Sequence, residues 1–244
     1  MSPTNARKGA QRPRRERGSI SVNEIIDGAF ELASDVTVDN LSMPMLAKRL
    51  DLGVTSIYWH FRSKDRLLDA MTERAIDEFD AAMPIIGPDE GWQRALCSYA
   101  RSMRTVFRDR PVLCDLLVVR PESLAMQVNR PACGRLEAVI AMLVDVGFTP
   151  AAALDVFLSI SVHTRGVVMV ERRQDLAGGE SVGISIDNLD VEAMPYLTSL
   201  FAEDRPVGEV IDRIFELGLD ALIDRADRTL ASAVAGTTGE RRVS

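Results

Sequence analysis

Apolar residues recur at three- and four-residue intervals along nearly the whole chain, and proline and glycine cut it into helix-length pieces. Runs that alternate apolar and polar residues, the mark of half-buried strands, are scarce. A chain patterned in this way buries its apolar surface by packing helix against helix, so the fold class is all-α. Its 244 residues leave room for one large helical domain or two smaller ones, and no internal repeat is visible.

The first 83 residues carry the clearest start and stop signals. Ser21 opens a first helix, with Glu24 three residues on completing a capping box. Ile25, Ile26, Ala29, Phe30 and Ala33 then form an apolar stripe at helical spacing, which "SDVTVDN" interrupts. Ser42 caps a second helix, with Pro44 in its first turn, where a missing N–H costs little. The buried face of that helix is Met43, Leu46, Ala47 and Leu50.

A tight connection, Asp51-Leu52-Gly53, leads to a short third helix from Val54 to about Phe61. Aspartate is among the few residues other than glycine that tolerate the left-handed conformation such a turn can require. Two short helices joined by a tight turn match the helix-turn-helix pattern, which sets the second helix in a DNA major groove. On the third helix Val54, Ile57 and Phe61 fall on one side, while Thr55, Ser56, Tyr58 and Trp59 point away and His60 sits at the border. A face of hydroxyls and aromatics without carboxylates suits base edges and phosphate oxygens. Ser63 caps a long fourth helix through about Met83, whose first turn holds Lys64 and Arg66. Cations at a helix N-terminus oppose the helix dipole, and a phosphate backbone would select them there.

Charge points the same way. The net charge is −7, yet residues 1–66 contain 11 Lys and Arg against 8 Asp and Glu. The rest of the chain has 18 of the 29 basic and 28 of the 36 acidic residues, a balance of −10. A basic head on an acidic body fits a polyanionic partner for the head alone, or else a solubilising arm. Arg14, Arg15 and Arg17 in that arm are candidates for phosphate or minor-groove contact.

Other functions lack their chemistry. No GxSxG, Walker loop, GxGxxG or HExxH is present, and the two histidines lie over a hundred residues apart. No cofactor is expected. Cys97, Cys114 and Cys133 have no CxxC spacing and read as reduced, buried small residues of a cytoplasmic protein. Asp187, Asp190 and Glu192 lack the calcium-loop spacing and its glycine, and read as solvated charge. The start of the chain is basic, with no apolar signal-peptide core. No window holds the roughly 18 uninterrupted apolar residues of a membrane span.

"LSMPMLAKRLDLGVTSIYWHFRSKDRLLDAM" (Leu41 to Met71) resembles the DNA-binding domain of the tetracycline-repressor (TetR) family, and the likeness runs from about Ser21 to Ala82. The run Ile57-Tyr58-Trp59-His60-Phe61, then Ser63-Lys64 and Leu67-Leu68, is its specific part. The resemblance implies a homodimeric, ligand-responsive transcriptional regulator, most often a repressor, acting on a palindromic operator in double-stranded DNA. It places Val54, Thr55 and Ser56 at the base-reading start of the recognition helix, and Tyr58, His60 and Lys64 on the DNA backbone. Val54 either touches a thymine methyl or packs inward. Pro44 stands where many members place a polar base-contacting residue, Asp51 replaces the usual turn glycine, and Gly53 the usual polar residue opening the recognition helix.

On this reading residues 1–20 are a disordered basic arm, 21–83 the helix-turn-helix domain, 84–230 a helical ligand-binding and dimerisation domain, and 231–244 a disordered tail. The larger part divides into a helix from about Trp92 to Asp109, apolar at Trp92, Leu96, Tyr99, Ala100, Met103 and Phe107, and a short segment after Pro111. A further helical stretch runs to Gly147, with Leu136, Val139, Ile140 and Leu143 facing one way, and a very apolar helix spans 150–173. An acidic loop precedes a last helix over 206–226. The family pairs two such late helices from each subunit, and Ala151, Ala152, Ser159, Ser161, Gly166 and Gly218 would permit close approach; the alternative is an intramolecular core helix. Met103, Phe107, Leu116, Leu117, Leu143, Phe157 and His163 are candidates for a largely apolar effector pocket, or for plain core.

Overall fold

The computed structural model describes residues 20–85, 91–120, 130–178, 190, 192–202 and 207–240, and every described element is helical. The chain divides into two units, residues 1–70 and 71–244. The basic arm falls outside the described residues, as does Asp187.

In the first unit α1 spans Val22–Val36, α2 Met43–Arg49 and α3 Val54–His60, and α4 (Lys64–Ala82) begins. The capping box forms as the sequence predicts: the Ser21 hydroxyl accepts from the Glu24 amide at 3.2 Å, and the Glu24 carboxylate accepts from the Ser21 amide at 2.8 Å. α1 buries Ile25, Ile26, Ala29, Leu32 and Ala33, whereas Phe30 is only half-buried. A Cβ on Gly28 would lie 2.6 Å from Leu50 Cδ2, so a larger residue there would have to displace that side chain. Arg49, at the end of α2, pairs with Asp35 at 2.5 Å and Glu31 at 3.4 Å on α1.

The second unit contains the rest of α4, α5 (Trp92–Asp109), α6 (Pro111–Cys114), a π-helical turn (Asp115–Val119), α7 (Arg130–Val146), α8 (Pro150–Leu176), α9 (Pro195–Ala202) and α10 (Val207–Glu240). α8 packs against α5, α7 and α10. Its core is built from Trp92, Leu96, Leu143, Phe148, Ile160, Phe215 and Leu219. All six apolar positions predicted on α5 are buried.

Charged links run through this unit, among them those of Arg104, Arg172 and Arg135. Arg104, 7% exposed, holds Glu171 on α8 at 2.5 Å, bonds Asp212 on α10, and lies 4.6 Å from the Phe215 ring centroid. Arg172 grips Asp115 on the π-turn with two bonds of 2.7 and 2.8 Å. Arg135 on α7 bonds the Asp80 carboxylate and the main-chain carbonyls of Asp80, Met83 and Pro84. Buried cations of this kind stay charged only where carboxylates or carbonyls replace water.

Several expectations are corrected. The last helix does not stop near Ala226 before a disordered tail but continues to Glu240, through Ala231, Ala233 and Ala235, which carry no side-chain entropy cost in a helix. α9 lies in a stretch that showed no helical start signal. There Asp190 accepts from the amides of Glu192 and Ala193, both at 3.1 Å, organising the turn before α9. Cys133 is exposed and Cys97 half-buried, so only Cys114 is the buried thiol expected of all three. The Ser161 side chain is buried within the chain, not on an outer helix face.

Candidate nucleic-acid interface

The turn that aims α3 depends on one backbone conformation. Asp51 adopts φ 53°, the left-handed region anticipated for it, and Leu52 then donates to the Ala47 carbonyl at 2.9 Å. Gly53 caps α3 without a side-chain hydrogen bond. Ile57 is fully buried and Phe61, just past the helix, nearly so; these two hold α3 against its unit.

The remaining residues of α3 face outward. Thr55 and Ser56 are exposed, Tyr58 is 42% and Trp59 75% exposed, and His60 is half-buried with its ring edge-on to Trp59 at 4.8 Å. Val54 is exposed as well, so of the two alternatives for it the outward one is realised. An outward face with three hydroxyls, two aromatic rings and no carboxylate is poor in anything a DNA phosphate would repel.

Lys64 is half-buried and already engaged: its Nζ donates to the main-chain carbonyl of Asp39 at 2.7 Å. An ammonium has three donors, so this bond fixes its position without using its capacity. Ser63 accepts from the Arg66 amide at 3.3 Å and caps α4 as predicted.

In the second unit the expected pocket residues occupy different surroundings. Met103, Phe107, Leu116 and Leu143 are buried, and Leu117 and Phe157 half-buried. Phe107 stacks on Phe79 at 4.9 Å, while Phe157 tilts against Tyr99 at 5.5 Å. His163 lies on α8 against α10: its Nε2 is 2.9 Å from the Phe215 carbonyl, and its ring stacks on Phe215 at 5.7 Å. A carbonyl only accepts, so Nε2 carries the proton. The sequence marks Arg104 and Arg165 only as cations that interrupt an apolar stripe.

Comparisons with known proteins agree with this geometry at both units. The family model for bacterial regulatory proteins of the tetR family matches residues 25–71, and that for the tetracyclin repressor-like C-terminal domain matches residues 84–225. An HTH-type transcriptional repressor of Mycobacterium tuberculosis is 41% identical over 238 residues, covering 95% of this chain and 90% of that protein. The class A tetracycline repressor from transposon 1721 of Escherichia coli is 31% identical over 209 residues, covering 84% and 89%. Among solved structures, TetR from Acinetobacter baumannii superposes with a TM-score of 0.65 at 28% identity, over 87% of this chain and 99% of that one. With both units matched and a 41%-identical relative along nearly its whole length, the chain belongs to the TetR family of DNA-binding transcriptional regulators.

Proposed function

We propose that this regulator is a ligand-responsive repressor that binds a two-fold-symmetric operator as a homodimer in the cytoplasm. The observation that carries the reading is the outward face of α3, where Thr55, Ser56, Tyr58 and Trp59 are exposed while Ile57 and Phe61 anchor the helix. Val54, Thr55 and Ser56 read base edges, and Tyr58, His60 and Lys64 hold the sugar–phosphate backbone. Two copies of α3 then enter successive major grooves about one helical turn apart.

The dimer reading rests on the late helices. α8 leaves Leu158, Val162, Met169 and Val170 exposed, and α10 leaves Ile214 and Leu217 exposed. By length and composition alone α8 could cross a membrane, although a third of its apolar window is already buried within the chain. A second copy covers such stripes at less cost than a bilayer, which would have to accept Arg165, Glu171 and Arg172 on the same helix. An effector held in the second unit favours a conformer in which α4 tilts and the two reading heads lose the operator spacing; it does so only by its differential affinity for the two states.

Fluorescence anisotropy against the protein's own promoter duplex and a scrambled duplex, across a salt series, tests the DNA reading. The expected result is a sequence-selective complex that weakens steeply with salt and is lost in Tyr58→Ala. Thr55→Ala shifts sequence preference by about 1–3 kcal/mol at one base pair and leaves non-specific binding unchanged. Equal, weak binding to both duplexes, repeated with DNA selected from a random pool, would overturn it.

A further inference from the structure

α8 carries one polar stripe that its own fold leaves unsatisfied. Phe157, Ser161 and Arg165 follow one another at i, i+4 and i+8, so they share a helix face. Ser161 is only 7% exposed, and its hydroxyl has no hydrogen-bond partner. Three residues on, Thr164 shows the ordinary solution, its hydroxyl donating back to the Ile160 carbonyl at 2.8 Å. Ser161 has the same option and does not use it.

Arg165 is equally out of pattern. Its Nε is shielded from solvent and unpartnered. Other buried or partly buried guanidinium groups of this unit are engaged, Arg104 by Glu171 and Asp212, Arg172 by Asp115, and Arg135 by Asp80 and three carbonyls. Tyr99 on α5 adjoins the stripe, its ring 5.5 Å from Phe157. Burial pushes the Tyr99 phenol up from its ordinary value, and the fields of Arg165 and then Arg135 oppose that rise, so both cations act on the same space. Two buried donors without an acceptor are each costly, and a ligand that supplies the acceptor recovers that cost on binding.

We propose that Ser161 and Arg165, beside the Tyr99 and Phe157 rings, form the effector's polar subsite and select a flat aromatic molecule bearing an anionic oxygen. The inference rests on the ligand-responsive reading and adds to it the charge and shape of the ligand. The apolar body lies against the two rings, and the anion accepts from Arg165 Nε–H and the Ser161 hydroxyl. Donors aimed at an acceptor reject a neutral analogue far better than an apolar wall does. The charge-assisted bond of the guanidinium carries more of that discrimination than the hydroxyl.

A pair of fluorescent probes that differ in charge tests it on the full-length protein: 1-anilinonaphthalene-8-sulfonate, and N-phenyl-1-naphthylamine, which has the same rings without the sulfonate. Saturable binding of the anionic probe is expected, at least tenfold tighter than of the neutral one. Arg165→Met should remove that tenfold preference while leaving neutral-probe affinity intact, which also reports that the variant is folded. Ser161→Ala should weaken the anionic probe by a smaller factor, about threefold, and Arg165→Lys should retain part of the preference. Equal affinity of the wild type for both probes overturns the proposal, as does Arg165→Met that keeps the preference. Adding the anionic probe to the operator complex reads the other question separately. Charge-selective binding that releases no DNA would sustain the subsite and count against the ligand-responsive reading alone.

Discussion

The Lys64 ammonium donates to the main-chain carbonyl of Asp39 across 2.7 Å, tying the first turn of α4 to the segment between α1 and α2. A residue that the family's pattern assigns to the DNA backbone therefore also holds its own domain together. Lys64→Met is expected to weaken promoter and scrambled duplexes by the same factor, and to cost about 1 kcal/mol of stability through the lost charged hydrogen bond. Thermal melting alongside anisotropy checks both. Loss of DNA affinity with unchanged melting would assign Lys64 to phosphate alone.

Gly218 and His163 form a second tight pair. A Cβ on Gly218 would lie 2.3 Å from His163 Cε1 and 2.6 Å from Nε2, and the ring is already held by the Phe215 carbonyl. Gly218→Ala should therefore destabilise the protein by about 1–3 kcal/mol through overpacking, despite alanine's better helix propensity. The double variant with His163→Ala should recover most of that loss in a denaturant titration. Additive losses would mean the clash is relieved elsewhere.

The three thiols should react in a fixed order. Cys133 is exposed, Cys97 is half-buried with its thiol pushed up by burial, and Cys114 is buried with its thiol pushed up to about 12, by burial first and Asp115 second. Because the thiolate is the reactive form, a disulfide reagent at pH 8 should modify Cys133 fast, Cys97 slowly and Cys114 only on unfolding. Mass spectrometry of the time course gives the order. Early labelling of Cys114 would show that α6 opens readily.

Glu216 accepts from Arg101 at 3.1 and 2.6 Å, and that hydrogen bond, more than the accompanying charge, holds its carboxyl below the ordinary value. The folded state thus binds this proton less readily than the unfolded one. The pair's contribution is fully present above the unfolded carboxylate pKa of about 4.3 and is lost as pH falls through the lower folded value. Arg101→Gln should reduce the fall in melting temperature between about pH 5 and pH 3. The pair is part-exposed, so the difference should stay below about 1 kcal/mol.

The helix-turn-helix was legible because its residues act locally. Ser21, Ser42 and Ser63 cap the helices they precede, Asp51 takes the left-handed turn, and Ile57 and Phe61 are apolar positions on an otherwise polar segment. Each of those signals spans a few residues. The second unit is organised by partners far apart in sequence: Arg104 meets Glu171 67 residues away and Asp212 108 away. No periodicity announces such a pair, and the unfilled donors of Ser161 and Arg165 show themselves only once every neighbour is placed. α10 ran past its expected end through Ala231, Ala233 and Ala235, strong helix formers in a stretch that its small and polar composition marks as a tail.

α3 is held by side chains that face inward, while Thr55, Ser56 and Trp59 are exposed. On the proposed reading, stability and target choice are therefore written in separate letters of the same seven-residue word. A lineage, or a designer, can respell the outer letters toward a new operator without passing through an unfolded intermediate.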